Sequence, residues 1–584
     1  MTEDTGDHSV YQCLPISKLE DVWVWENEHA RKWPSMPLQP STDHCYQGTA
    51  TSCHVSCEKW KLSPRLDRNT SPKTLLCHDM KGGYIGDRFV NGTKNCDEYR
   101  FYHWAGIDIF VYFSHHLVTI PPLMWINAAH LHGVKILGTF ITEWESGQEI
   151  CKEILKNHDN IEKFVKKLVD IADHYGFDGW LLNIENKVCE EVGNVQDLVL
   201  FVDLLKNEMH RANPDSLIIW YDSVTSTNGQ LKWQNELNSN NSTFFDHSDG
   251  IFLNYSWKEE NIKTSQLNSQ DRPHDVYVGI DVFGRNFYEG GGFNTHKALE
   301  VARKYGLSIA IFAPGWVHEN HCPKDFTLLE YYFWNTLRPH LFLHGPNKLP
   351  FQTSFCQGAG LKKYHLGKVI SSIPWFNLTL QQYQPSTGSC RHLHFEANCV
   401  KTSLLEPGCM ETSMSDAFNG GNSLMLSKPH SSGTASKNVM SSKNYVIHRI
   451  FICGFFCDLP FLVSVASKNL NENAEFGIIL KLKSLKGKHS SIILQEGKEK
   501  DLNYIQDVIK ILPVDESEAK RLKEEYHPID TMKYSHSSDI GDNWSVRDYF
   551  VSHPNVTIVE IGALVHLGSV LLGFLGIQEL KPRN

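Results

Sequence analysis

Residues 177–185 read FDGWLLNIE. Between the turn at Asp178-Gly179 and the polar end Asn183-Ile184-Glu185, the run is apolar on both alternating sets of positions. That is the pattern of a strand buried on both faces. Before it, 160–174 (NIEKFVKKLVDIADH) sets Ile161, Phe164, Leu168 and Ile171 on one side at helical spacing, and 195–211 after it repeats the pattern. Outward from this unit the alternation continues. Buried runs at 74–78, 107–114 and 134–142 precede it, and runs at 216–223, 250–257, 275–283 and 308–316 follow, eight in all. Eight such runs with helices between them are what a (β/α)8 barrel requires. An open doubly wound sheet usually carries a Gly-rich phosphate turn after its first strand, and Lys81-Gly82-Gly83-Tyr84 lacks that spacing.

The expected fold class is therefore α/β: a TIM barrel over 71–345, preceded by an irregular segment over 1–70. A helix over 325–345 is expected to close the barrel. After Gly345 the texture turns to short β-like runs, such as 374–383 and 416–426, rich in Ser, Gly and Pro. One or two β-sandwich modules are expected to follow the barrel, the first over 346–445 and a second β-rich module over 446–584.

Composition sets limits on function. The chain has 584 residues and a net charge of -11, which disfavours a nucleic-acid partner because phosphate backbones need clustered Lys and Arg. The first residues are acidic and lack an apolar core, so they read as neither a secretory leader nor a transit peptide. Without such a leader, the fifteen cysteines, an odd number, read as reduced thiols of a cytosolic protein. Two apolar stretches, 450–465 and 561–577, are broken by Asp458 and Pro460 and by His566 and glycines. They read as buried strands, and no membrane partner is expected.

In a barrel of this kind chemistry gathers at the C-terminal strand ends. Side chains alternate along a strand, so Asn183 and Glu185 share one face and point into the barrel mouth. Strand five ends at Tyr221-Asp222, strand six at Asn254-Tyr255-Ser256-Trp257, strand seven at Asp281 and strand eight at Trp316. The mouth is thus expected to be rich in rings with few carboxylates, which suits a sugar. Ring by ring, barrel core is the favoured reading of these aromatics; their concentration at strand ends, rather than mid-strand, shifts the balance toward a site. Most glycosidases use two carboxylates, but here the partner of Glu185 is an amide. An amide can hold a substrate acetamide so that its carbonyl oxygen attacks the anomeric carbon, while Glu185 serves as acid and then base. Read alone, the Asn-x-Glu pair is a weak signal, and a pair of polar residues capping a strand is the commoner reading.

The motifs together resemble glycoside hydrolase family 85, the cytosolic endo-β-N-acetylglucosaminidases. The resemblance covers residues 15–425. It is carried by 77–84 (CHDMKGGY), 110–116 (FVYFSHH), 133–140 (GVKILGTF), 176–185 (GFDGWLLNIE), 220–223 (WYDS) and 252–255 (FLNY). Downstream, 375–378 (WFNL) and 416–421 (DAFNGG) look like the family's β-sandwich, and beyond about 445 the chain departs from it. The resemblance implies hydrolysis of the GlcNAc-β1,4-GlcNAc bond of N-glycans in the cytosol, with retention and without a cofactor or metal. It implies Glu185 as acid/base, Asn183 as the acetamide-orienting residue and Tyr221 as its helper. Trp233 and Trp257 match groove aromatics, and Phe113, Asn254, Asp281 and Trp316 complete the expected substrate-binding set. Chitinases, similar in mechanism, carry carboxylates where this chain has Leu181 and Asn183.

Two other functions fit parts of the pattern. A chitinase-like hydrolase would cut GlcNAc polymers but not mannose-bearing N-glycans. A catalytically silent lectin would bind N-glycans without turnover, and has no need of a positioned acid. His130 and His132 read as helix C-terminal residues favoured by the dipole rather than metal ligands. Cys45, Cys53, His54 and Cys57 lack zinc spacing.

Overall fold

A computed structural model describes residues 11–48, 54–56, 64–188, 194–285, 287–388, 393–396, 399–402, 409–427, 446–472, 474–495, 508–527 and 540–583. The chain divides into two compact units, the first comprising Met1–Leu38, Asp67–Gly92 and Ile107–Phe342.

The first unit is a closed parallel barrel. Its strands are β1 Thr74–His78, β2 Ile109–Tyr112, β3 Lys135–Glu143, β4 Gly179–Glu185, β5 Leu217–Tyr221, β6 Gly250–Phe252, β7 Val276–Asp281 and β8 Ser308–Phe312. Each pairs in parallel with the next, β8 pairs with β1, and the ring has no parallel edge. All eight expected runs are strands, several shorter than their apolar runs: 250–257 contributes only Gly250–Phe252.

The alternation fixes what fills the barrel. Leu75, Val111, Leu137, Leu181, Ile219, Phe252, Tyr277 and Ala310, one from each strand, form the interior cluster. Residues of the other parity face the helices. Phe140 packs on Phe164, ring centroids 5.1 Å apart, and Trp220 stacks on Phe244 at 4.0 Å. The helix His158–Tyr175 begins where the Asn157 side chain accepts from the Asn160 amide and ends at Gly176, whose φ of 76° is the left-handed cap. It buries Ile161, Phe164, Leu168 and Ile171 against the sheet, each contributing about 1.5–3 kcal/mol by burial.

His130 lies in the last turn of the helix Leu123–Leu131, but the dipole is not what holds it there. It is buried, bonded to the Met36 carbonyl and to Asp178 at 2.7 Å. Burial opposes its charge, yet the Asp178 carboxylate overrides this and raises its pKa.

The second unit, Gln39–Leu66, Thr93–Gly106 and Leu343–Asn584, contains a β-sandwich. One sheet runs Cys409–Ser413, Ser423–Ser427, Ser569–Glu579, Phe461–Asn469, Ser545–Val551, with Phe351–Thr353 also on Ser569–Glu579. The other runs His54–Ser56, Val446–Cys457, Val556–Leu567, Glu475–Ser484, His489–Gln495, Val508–Ile511. Leu424, Val463 and Leu575 from the first meet Phe451, Leu480 and Ile561 from the second in one apolar core. Strands from both sides of residue 445 thus share the same two sheets. The apolar stretches 450–465 and 561–577 form buried strands, and no helix among the described residues is long and apolar enough to cross a membrane. The run 374–383 contributes only Trp375–Phe376 before a 3-10 turn, Leu378–Leu380, because Asn377 accepts from the Thr379 amide and starts that turn. Of the Ser- and Lys-rich stretch 426–444, Leu426 and Ser427 end the strand Ser423–Ser427, and 428–444, like Cys53 and Cys57, lies outside the described residues.

Candidate active site

The site is built on the end of β4. Asn183 and Glu185 have the parity of the inward Leu181. Asn183 is 4% exposed, and its Nδ2 donates to Glu185 Oε2 at 3.2 Å. The other carboxylate oxygen, Oε1, accepts from the Trp233 indole at 3.2 Å. Burial pushes the Glu185 pKa up; the Asn183 and Trp233 hydrogen bonds pull against it, and the nearby Glu143 charge adds to the rise. A carboxyl held protonated above its usual range is suited to general acid work.

β5 and β6 supply the next wall. Tyr221 donates its hydroxyl proton to Asn254 Oδ1 at 2.8 Å, and Asn254 Nδ2 donates to Asn235 Oδ1 at 2.7 Å. Tyr221 is buried, and burial with the Glu185 charge behind it pushes the phenol pKa well up. Trp257 is 3% exposed: its indole donates to the Gly279 carbonyl at 2.7 Å and its ring stacks on Tyr288 at 5.3 Å. Position 279 has to be glycine, since a Cβ there would lie 2.1 Å from the Leu253 carbonyl oxygen.

The remaining expected residues sit in different surroundings. Phe113 packs edge-on against Phe312, centroids 5.6 Å apart, and against His115 at 5.4 Å. Asp281 is 2% exposed, and both its oxygens are engaged by its own loop. Oδ1 accepts from Phe283 N and Arg285 Nη2, and Oδ2 from Arg285 N and Nε, all at 3.0–3.1 Å. The half-buried Trp316 packs on Phe293 at 5.2 Å and His321 at 4.9 Å.

The mouth holds more acidic groups than expected. Glu143 closes β3 directly opposite Glu185 in the β3–β4 register, and His115 bonds it at 3.1 Å. That bond raises the His115 pKa. Asp79, just past β1, is pushed up by burial and feels His115, Arg285 and Asp281. Glu143 is paired with His115, and Asp281 with the Arg285 guanidinium. The strand-end rule applied to β3 would have found Glu143. Asn235 carries no signal in the sequence, because a loop places it. Among the described residues no group of three or more His, Cys, Asp or Glu side chains is arranged to hold a metal ion.

Residues 84–363 match the family model of glycosyl hydrolase family 85. Curated relatives are similar as well. The mouse cytosolic endo-beta-N-acetylglucosaminidase is 46% identical over 356 residues, which is 61% of this chain and 47% of the relative. The human one is 44% identical over 413 residues, 70% and 51% respectively, and cytosolic endo-beta-N-acetylglucosaminidase 1 of Arabidopsis thaliana is 46% identical over 316, 54% and 46%. The chain spans about half the length of the curated relatives it matches. Among solved structures, the glycoside hydrolase domain of Endo-D from Streptococcus pneumoniae shares the fold, with a TM-score of 0.69 at 18% identity over 97% of this chain and 83% of that one. Over residues 84–363, this chain is similar to glycosyl hydrolase family 85.

Proposed function

We propose that this protein is an endo-β-N-acetylglucosaminidase that hydrolyses the GlcNAc-β1,4-GlcNAc core bond of N-glycans, glycopeptides or free oligosaccharides, with retention and with the substrate acetamide as nucleophile. The observation that carries the reading is the company of Glu185. Its hydrogen-bond partners are the Asn183 amide and the Trp233 indole, not a second carboxylate. The names of the curated relatives favour the same activity and a cytosolic location, and we extend both to this chain.

In this mechanism Asn183 keeps Nδ2 on Glu185 and offers Oδ1 to the acetamide N–H of the sugar before the scissile bond. The acetamide carbonyl oxygen then bonds to C1 as the C1–O bond to the second GlcNAc breaks. Glu185 gives its proton to that leaving oxygen, producing a cyclic oxazolinium ion. The Glu185 carboxylate, steadied by the two N–H donors, next takes a proton from water as the water oxygen bonds to C1 and the acetamide is restored. Tyr221 lines the acetamide pocket. Trp257, Trp316, Phe113, Asn254 and Asp281 shape the surrounding groove, with Arg285 presented by Asp281. Water is the only co-reactant. NMR of a high-mannose glycopeptide during incubation tests this: a released glycan ending first in β-GlcNAc is expected. An α anomer appearing first, or no release, contradicts the reading.

A further inference from the structure

The loop after β5 folds around one buried carboxylate. Asp222 Oδ1 accepts from Asn241 Nδ2 at 2.9 Å, and Oδ2 accepts from the backbone amides of Gln234 at 3.1 Å and Asn235 at 2.8 Å. The Asn254 amide approaches Oδ2 at 3.5 Å. These donors are all neutral. Asn235, whose amide Asp222 holds, sits in the left-handed region at φ 58°, which Asn tolerates better than most residues.

A backbone donor fixes the direction of the hydrogen bonds beyond Asp222. The Ser256 backbone N–H donates to the Asn235 side chain at 3.1 Å, so that atom is the oxygen. Asn254 therefore turns its NH2 toward Asn235 and its oxygen toward Tyr221. An amide oxygen cannot donate, so the Tyr221 proton lies on Asn254 and the phenol oxygen is left as an acceptor in the barrel. The same loop carries Trp233, one residue before the first amide that Asp222 holds, and Trp233 donates to Glu185.

We propose that Asp222 is a positioning residue: through Asn235 and Asn254 it sets the direction of the Tyr221 hydroxyl, and through the 234–235 amides it holds Trp233 on Glu185. This rests on the glycosidase reading above, in which Tyr221 and Glu185 face the reacting sugar. Burial pushes the Asp222 carboxyl up to about 6, so it is ionised at neutral pH and accepts all its donors. An amide in its place would turn an N–H against the Asn241 side or the Asn235 side, and one of the two would be released.

The test is kcat on a high-mannose glycopeptide for N235G and D222N, each in the wild-type and the Tyr221→Phe background. Glycine suits φ 58°, so N235G keeps its backbone bond to Asp222 and loses the side-chain relay to Asn254 together with the Ser256 amide bond to the same oxygen; it remains informative even where D222N folds poorly. N235G is expected to lower kcat about tenfold in the wild-type background and not in the Tyr221→Phe background. D222N is expected to lower it roughly ten- to a hundredfold, with a smaller factor beside Tyr221→Phe because only the Trp233 branch then remains. Equal factors in both backgrounds, or no loss, overturn the role of Asp222 while leaving wild-type cleavage intact. Absence of wild-type cleavage overturns the glycosidase reading and this role together.

Discussion

Replacing Asn183 by Ala separates the two tasks its side chain is given. One is the 3.2 Å hydrogen bond to Glu185, a long, partly buried contact worth about 1 kcal/mol. The other is orientation and polarisation of the acetamide, which acts only in the transition state that forms the oxazolinium ion. Loss of one such preorganised group costs about 2.7–4 kcal/mol, or 10²–10³ in kcat. On an ordinary glycopeptide both are lost, so kcat should fall by about a thousandfold. On a preformed glycan oxazoline that step is already complete, and only the Glu185 contact is missed. The loss there should be about fivefold, leaving a ratio between substrates of at least about a hundred. Asn183 is buried, so thermal unfolding should accompany the assay to show that the variant is folded. Equal losses on the two substrates would refute the acetamide role.

Three further outcomes follow from the same geometry. Trp233→Phe removes an N–H that lowers the Glu185 pKa, so the basic limb of the kcat–pH profile should move to higher pH; an unmoved or lowered limb contradicts the contact. Glu143→Gln should keep turnover within about tenfold, since Glu143 acts on Glu185 only as a nearby charge; a loss like that of Glu185 itself would make Glu143 the second carboxylate of an ordinary two-acid mechanism. Asp222 has a folded pKa of about 6 against an unfolded value near 3.8, so the folded state binds more protons between them. Its favourable contribution is present below the unfolded pKa and lost as pH rises through about 6. Unfolding of wild type measured against D222N should therefore show the wild type losing up to about 3 kcal/mol relative to the variant between pH 4 and 7, and a gap independent of pH would count against the raised pKa.

The barrel was legible because parallel strands buried on both faces leave near-continuous apolar runs, and the β4 parity alone put Asn183 beside Glu185. Loops were not. Trp233 entered only through the family resemblance, and its bond to Glu185 depends on a turn that Asp222 and Asn241 fold from the far side of β5. Asp222 has the opposite parity to Tyr221, so the rule that selects inward strand ends passes over it. Asp281 was chosen by that same rule, and it shows the rule's limit: position says that a carboxylate reaches the mouth, not that Arg285 already occupies it. The β-sandwich was legible as texture, whereas the pairing of strands from both sides of residue 445 depends on contacts distant in sequence.

The most direct test of the account is mass spectrometry of a high-mannose glycopeptide incubated in H2(18)O with the wild-type chain and with Glu185→Gln. The wild type is expected to leave a single GlcNAc on the peptide and to place the heavy oxygen on the released glycan, and the variant to lose at least about a thousandfold in rate. An intact glycopeptide with the wild type, or undiminished cleavage by Glu185→Gln, would contradict it.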